Sequence, residues 1–210
     1  MEFNNAQEAF EYYYTKINEF GSEMNGTKVL YNVGFTIMNP SDNHINTEWR
    51  KWKSSYAELE WDWYLSGDRS VEEIKKHAKI WDKMHNGDNL VNSNYGYQWK
   101  RNGQLEYVID ELTKNPSSRR AFISIYDGKE HPDYKFDTPC TLAIGFYIED
   151  GALRMSVYMR SNDLWFGFCN DQYCFSELQK MVAERLNLEV GLYYHHATNM
   201  HLYEQHYNKN

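Results

Sequence analysis

A change of hydrophobic period near Ala121 constrains the fold of this chain more than any other feature of its sequence. Upstream of it, apolar residues recur mainly at helical spacing. Downstream, the segments AFISIY, TLAIGFYIE and ALRMSVYM have the length and composition of strands, and Asp150 with Gly151 suits a tight turn between the last two. The second half therefore predicts a sheet that helices must cover.

Helices and further strands can be placed from the same periodicities. The sequence predicts helices over residues 6–20, 47–65, 70–83, 104–114 and 171–186, and additional strands over residues 30–38 and 191–196. Ser70 and Glu73 have the spacing of a capping box at the start of the third helix. Because the elements show no regular βαβ alternation, the expected fold class is α+β, a mixed β-sheet flanked by helices.

Length and charge limit the classes of function. A chain of 210 residues supports one sizeable core, so we expect a single domain over residues 1–210. The formal net charge is −8 and the isoelectric point is near 5.5. This acidity argues against nucleic acid as the main partner, although it leaves room for a local basic pocket.

Cysteine use and hydropathy indicate the compartment. The three cysteines, Cys140, Cys169 and Cys174, form no CxxC pair, which favours a reducing environment. The sequence shows neither a signal-peptide pattern nor a long apolar run, so we expect a soluble cytoplasmic protein without a membrane partner. For a phage-encoded protein, that compartment would be the host cytoplasm.

Glu60 is a candidate acid/base group. On the predicted 47–65 helix, Trp49, Tyr56 and Glu60 project within about 40° of one another at a rotation of about 100° per residue. In one interpretation the carboxyl group lies at the edge of the solvated face, as glutamates usually do. In the other it points into an aromatic surface, where burial would raise its pKa and suit it to proton transfer.

Cys140 is a candidate nucleophile. A buried structural cysteine is the common alternative at such a position. Arg119, Arg120 and Arg160 could lower the pKa of a nearby thiol, and together with Ser161 they could bind a phosphate group. None of these arginines is adjacent to Cys140 in sequence, so their proximity is a hypothesis about the fold.

Other chemistries have less support. His195, His196, His201 and His206 could suggest a metal site, but their spacing matches no common zinc motif, and we expect no metal. The sequence contains no Gly-rich phosphate loop, GxSxG elbow or dinucleotide fingerprint.

Seven short blocks, taken in order, resemble the thymidylate synthase superfamily across roughly residues 50–206. The blocks are ELEWDWYLSGD, KIWDKM, NSNYGYQW, SSRR, DTPC, MRSNDLWFGFCND and HLYEQH. The resemblance is closest to the deoxycytidylate (dCMP) hydroxymethylases of phages, through NSNYG, RSND and GFCND. It implies a homodimer joined sheet to sheet, which acts on a pyrimidine nucleoside monophosphate with 5,10-methylenetetrahydrofolate as co-substrate.

The resemblance also implies how the nucleotide is held. Cys140 would add to C6 of the pyrimidine as a thiolate, and Arg160 would contact both that sulfur and the phosphate. Ser161 would complete the phosphate site, and Arg119 and Arg120 would reach it from the partner subunit. Two further residues, His201 and Tyr203, would bind the sugar hydroxyl.

On the base and folate side, the implied residues are Glu60, Trp81, Tyr95 and Asp163. Glu60 would organise proton transfer, Trp81 and Tyr95 would line the site, and Asp163 would contact the pterin. In this branch, water rather than hydride captures the exocyclic methylene, which gives a hydroxymethyl product. A methyltransferase, or a catalytically silent homologue that binds nucleotide or RNA, is the alternative.

Asp171 stands where thymidylate synthases carry asparagine, and it bears on the choice of base. Cytosine offers N3 as acceptor and its 4-amino group as donor. A carboxyl group can accept from the amino group while sharing a proton with N3. Asp171 could instead cap the helix that follows it, and both roles are compatible.

Overall fold

A computed structural model describes residues 1–85, 87–134 and 136–210 of the chain. The helices are α1 (Ala6–Phe20), α2 (Ser54–Ser66), α3 (Trp81–Met84), α4 (Tyr95–Lys100), α5 (Gln104–Lys114) and α6 (Cys169–Leu186). The strands are β1 (Glu2–Phe3), β2 (Ser22–Met24), β3 (Thr27–Ile37), β4 (Phe122–Ser124), β5 (Thr141–Glu149), β6 (Ala152–Met159), β7 (Asn162–Asp163) and β8 (Glu189–Tyr203).

All the described strands join one mixed sheet, so the predicted α+β class is confirmed. The strand order is β1-β3-β8-β6-β5-β4, with β2 also paired to β3 and β7 to β8. The β3–β8, β5–β6 and β4–β5 pairs are antiparallel, whereas β6 and β8 run parallel. Asp150 and Gly151 both have positive φ, at 53° and 76°, as a tight turn between β5 and β6 requires.

One face of the sheet carries the core. Side chains of β3, β6 and β8 point alternately into it, among them Phe35, Val157 and Tyr193. Helices α1, α5 and α6 pack on the sheet and bury their own apolar faces there. Tyr158, Tyr194 and His196 belong to the alternate positions, are partly exposed and pack on one another.

The predicted helix over residues 47–65 begins too early. In the structure α2 begins at Ser54, because Lys51 has a φ of 52° and breaks the right-handed path. Trp49 instead packs against Phe10, Tyr14 and Trp165. It is therefore not on the helix that carries Glu60, and the shared face of Trp49, Tyr56 and Glu60 does not exist.

The predicted helix over residues 70–83 is also wrong. Ser70 pairs with Leu90 in an isolated β-bridge, and backbone bonds join Val71 to Asn89 and Val91 to Arg69. These pairings hold the start of the segment extended, so only a 3₁₀ turn at Ile74–Lys76 and the short α3 form. The capping box is absent, since the Ser70 hydroxyl accepts from the N–H of Glu72 and Glu73 pairs with Lys76.

Two local features bring the site together. Helix α4 crosses α2 closely at Gly96, where a Cβ would lie 1.5 Å from the carbonyl oxygen of Tyr64. A π-helical turn at Leu164–Phe168 then leads directly into α6. Among the described residues, no helix is long and apolar enough to cross a membrane.

Candidate active site

A cavity of about 1080 Å³ opens between α2, the α3–α4 region, the start of α6 and the end of β8. Its walls include ten of the residues singled out in the sequence. These are Cys140, Glu60, Asp171, Arg160, Ser161, His201, Tyr203, Trp81, Tyr95 and Asp163. Residues up to 143 positions apart in the sequence thus face one space.

Cys140 and Arg160 lie side by side at the cavity wall. The Nη2 atom of Arg160 is 3.6 Å from Sγ of Cys140. The guanidinium group is fixed there, because Nε donates to the carbonyl oxygen of Pro139 and Nη2 donates to that of Thr138. The backbone N–H of Arg160 also donates to the carbonyl of Cys140, which ties the end of β6 to the start of β5.

Arg160 has the predicted lowering effect on the thiol pKa of Cys140, but burial outweighs it. Burial raises the pKa of Cys140 to about 11, and the nearby charge of Arg160 only partly opposes this effect. Negative charge on Asp171 and Asp137 adds to the rise. In the single chain, burial thus favours the neutral thiol over the thiolate.

The loop before Cys140 is anchored by a buried carboxylate. Asp137 accepts hydrogen bonds from the backbone N–H groups of Asn92 and Ser93, at 2.5 and 2.7 Å, and from the Ser93 hydroxyl. After the cysteine, the N–H of Thr141 donates to the hydroxyl of Tyr95 at 3.3 Å. These contacts hold the thiol against the α4 side of the cavity.

Glu60 is 6% exposed, so it does not lie on a solvated helix face. The hydroxyl of Tyr56 donates to its Oε1 at 3.3 Å, and Nε1 of Trp81 donates to that hydroxyl at 2.9 Å. Burial raises the pKa of Glu60 to about 7, although hydrogen bonds from Tyr56 and Tyr64 counteract the rise. A carboxyl group with this pKa can take up and release a proton near neutral pH.

Asp171 is not a helix cap, so that alternative is wrong. Helix α6 begins at Cys169 and continues from the π-helical turn, and no side chain caps it. Oδ2 of Asp171 instead accepts from Nδ2 of Asn162 at 2.9 Å. Burial and the charge of Glu60 raise the pKa of Asp171 well above its usual value, which favours a neutral carboxyl group.

Three further predicted residues lie at other parts of the wall. Asp163 accepts from the N–H groups of Trp165 and Phe166, and burial raises its pKa to about 6. His201 contacts Asn199 through Nδ1 at 2.9 Å, which directs Nε2 elsewhere, and burial lowers its pKa. Tyr203 is 45% exposed at the rim.

Arg119 and Arg120 do not join this cavity. Both are exposed, and they line a separate polar pocket with Asn115, Ser117 and Ser118. Within the described part of the chain, neither guanidinium group forms an ion pair. The structure therefore does not bring Arg119 and Arg120 together with the other predicted site residues of the same chain.

Sequence reasoning missed Arg50, which lies in the same wall. Its Nε and Nη2 both donate to the carbonyl oxygen of Trp165, and its guanidinium group lies 4.8 Å from the centre of the Trp165 ring. Lys51, Lys53 and Lys79 add further cations to the cavity lining. The only signal in the sequence was the basic run around residues 50–53, which resembles an ordinary solvated turn.

In residues 1–85, 87–134 and 136–210, no three or more histidine, cysteine or acidic side chains cluster in a way that could hold a metal ion. The predicted histidines point apart: His195 is buried in the core, whereas His201 lines the cavity.

Comparison with known proteins identifies the family. The family model described as thymidylate synthase matches residues 25–210, and the chain belongs to this family. It is 30% identical over 171 residues to thymidylate synthase 1 of Bacillus spizizenii, with 77% of this chain and 61% of that protein covered.

Two other relatives give the same picture. The thymidylate synthase of Bacillus phage phi3T is 30% identical over the same length, and thymidylate synthase 1 of Bacillus amyloliquefaciens matches equally well over 74% of its own chain. The chain spans about three fifths of the length of the first relatives, at 61%. The family match over residues 25–210 includes strands β3 to β8 and every residue that lines the cavity.

Proposed function

We propose that this chain transfers a one-carbon unit from 5,10-methylenetetrahydrofolate to C5 of deoxycytidylate and releases 5-hydroxymethyl-deoxycytidylate. The observation that carries the proposal is the placement of Cys140 beside Arg160, in one cavity with Glu60 and Asp171. A nucleophile, a cation, an acid/base group and a base-recognition group are the parts that this reaction needs.

The nucleophile is needed because C5 of a pyrimidine reacts poorly with carbon electrophiles. Addition of the Cys140 sulfur to C6 turns C5 into an enamine carbon, which can attack the methylene group of the folate. The thiol proton must leave during this addition, and Arg160, at 3.6 Å, stabilises the thiolate form. Glu60 is the group in the cavity whose pKa near 7 suits it to the later proton transfers.

The size and charge of the cavity support two ligands. Its volume of about 1080 Å³ lies at the upper end of the range for ligand pockets, roughly 300–1,000 Å³, which leaves room for a nucleotide and a folate. Cations of the wall, Arg50, Lys51 and Arg160 among them, suit a phosphate group and an anionic folate. The rings of Trp81 and Tyr95 offer flat surfaces for a base or a pterin.

Asp171 supports cytidylate as the acceptor. Its carboxyl group is buried and favours the neutral form, so it can donate one proton to N3 and accept from the 4-amino group. Uracil presents N3–H and O4 instead, which would leave a donor facing a donor.

The product distinguishes the proposal from methylation. Incubation with deoxycytidylate and methylenetetrahydrofolate should add the mass of one CH₂O unit to the nucleotide. No dihydrofolate absorbance should rise, because water and not a folate hydride completes the reaction. Cytidylate and deoxyuridylate assayed in parallel identify the sugar and the base that the site prefers.

A methylated product together with dihydrofolate would instead place the chain among the synthases. Absence of turnover with every pyrimidine monophosphate, with tight nucleotide binding retained, would indicate a silent homologue.

A homodimer is part of the proposal. Arg119 and Arg120 line a pocket separate from the cavity of their own chain, so we infer that they complete the phosphate site of a second copy. The partly exposed Tyr158, Tyr194 and His196 on one sheet face offer an aromatic surface for this contact.

Subunit complementation tests the dimer. Cys140→Ser and the double variant Arg119→Ala, Arg120→Ala should each be nearly inactive alone. Co-refolded in equal amounts, they should recover up to about a quarter of wild-type activity, because half of the randomly formed dimers then contain one intact site of two. Mixing each variant with itself is the control.

Recovery below a few per cent, in a mixture that forms dimers, would show that the two arginines act within their own chain or not at all. A fully active monomer in sedimentation would contradict the arrangement as well.

A further inference from the structure

A buried hydrogen-bonded chain runs from the core to Asp171. The hydroxyl of Tyr193 lies 2.8 Å from Nδ1 of His195, and Nε2 of His195 lies 3.1 Å from Oδ1 of Asn162. Nδ2 of Asn162 then donates to Oδ2 of Asp171 at 2.9 Å. Tyr193, His195 and Asn162, here called the Tyr193 relay, are 0%, 0% and 2% exposed.

The direction of every bond in the relay follows from its last member. Asn162 donates through Nδ2, so its Oδ1 is an acceptor, and Nε2 of His195 must carry the ring hydrogen. Burial lowers the pKa of His195 to about 3, so the ring is neutral and Nδ1 has only a lone pair. Tyr193 is therefore the donor to Nδ1.

The relay gives the two carboxyl oxygens of Asp171 different hydrogen-bond partners. Oδ2 is engaged as an acceptor, whereas Oδ1 has no hydrogen-bond partner among the described residues and belongs to a side chain that lines the cavity. An oxygen that accepts from an amide holds a proton less readily than a free one, so a proton on this carboxyl group resides preferentially on Oδ1.

We propose that the Tyr193 relay positions Asp171 so that Oδ1 presents its proton to ring N3 of the base while Oδ2 accepts from the exocyclic amino group. This inference rests on the proposed function, since it assigns the relay to selection of cytosine over uracil. If the Asn162 amide turned over, Oδ2 would carry the proton and Oδ1 would become an acceptor, which matches the N3–H of uracil instead.

The three relay members are therefore positioning residues for base selection. Tyr193 and His195 lie outside the cavity lining, and Asn162 lines the cavity beside Asp171. All three act through the orientation of the Asn162 amide. Their burial keeps water from offering Asn162 another partner.

Two substitutions of His195 separate this role from packing. His195→Gln keeps an N–H group near the position of Nε2, whereas the shorter His195→Asn cannot reach Asn162. We expect His195→Asn to lower the ratio of kcat/KM for deoxycytidylate to that for deoxyuridylate by about tenfold, and His195→Gln to leave it within about twofold. Equal ratios in the two variants would overturn the proposal, even if both are less stable than the wild type.

The unmodified protein provides a test that needs neither folding of a variant nor turnover. Nitrogen-15 NMR of histidine-labelled protein should show His195 neutral near pH 7, with its hydrogen on Nε2. Hydrogen on Nδ1, or a charged ring, would overturn the relay. If the wild type carries its hydrogen on Nε2 but does not turn over deoxycytidylate, only the proposed function is overturned.

Discussion

Replacement of Cys140 by serine is expected to reduce turnover of deoxycytidylate to below about 1% of the wild-type rate. The serine hydroxyl ionises far less readily than a thiol, and its Oγ cannot form the C6 adduct at a useful rate. Burial disfavours ionisation even of the thiol, since it raises the pKa of Cys140 to about 11. Single-turnover assays with purified variant measure the loss.

Binding should survive the same change. Serine is smaller than cysteine and leaves Arg160 anchored to the carbonyl oxygens of Pro139 and Thr138. Calorimetric titration with deoxycytidylate should therefore give an affinity within about tenfold of the wild type. Cys174→Ser is the matched control, because that buried thiol lies outside the cavity lining, donates to the carbonyl oxygen of Ala57 and should stay active.

More than a few per cent of activity in folded Cys140→Ser protein would exclude the covalent mechanism. Full activity in both cysteine variants would show that Cys140 is a buried structural cysteine, the alternative that the sequence also allowed.

Local patterns were sufficient to predict some elements of the fold. Helix α1 has the predicted bounds of residues 6–20, α5 those of residues 104–114, and the β5–β6 hairpin turns at Asp150 and Gly151 as expected. In each case the stripe or turn chemistry lies within a few neighbouring residues.

The failures arose where distant parts of the chain decide the local structure. Residues 70–83 have helical spacing, yet pairing of Ser70 with Leu90 holds the first of them extended. Residues 47–53 fit a helix as well, but packing of Trp49 on Trp165 and bonding of Arg50 to its carbonyl draw the segment out of it. Tertiary contacts of this kind override helix propensity, and the spacing of apolar residues does not reveal them.

The candidate site also has features that the sequence predicted and features that it did not. Motif resemblance predicted which residues would meet, and ten of them line one cavity. It could not predict electrostatics, since the thiol pKa rises with burial and sequence does not record burial. Nor could it find the relay: His195 was considered only as a metal ligand, and its partner Asn162 is 33 positions away.

Substitution of Asp171 by asparagine should move the preference of the enzyme from cytidylate toward uridylate. The amide keeps the size of the carboxyl group but donates to O4 and accepts from N3–H, the pattern that uracil needs. A mismatched buried polar pair costs about 1 to 3 kcal/mol, so the ratio of kcat/KM for the two nucleotides should fall by roughly one to two orders of magnitude. Steady-state assays on both nucleotides measure it.

The ratio, rather than either rate, is the informative quantity. Asn162 donates to Oδ2 of Asp171 in the wild type, so the side-chain amide of Asn162 must turn over before the variant can use uridylate. This requirement lowers kcat/KM of the variant for uridylate, but it does not restore the preference for cytosine. Glu177→Gln makes the same carboxyl-to-amide change on α6, where Glu177 contacts Asn43 away from the cavity lining, and should leave the ratio unchanged. A shift of less than about threefold in folded Asp171→Asn protein would remove Asp171 as the discriminating group, and with it the main support for cytidylate as the substrate.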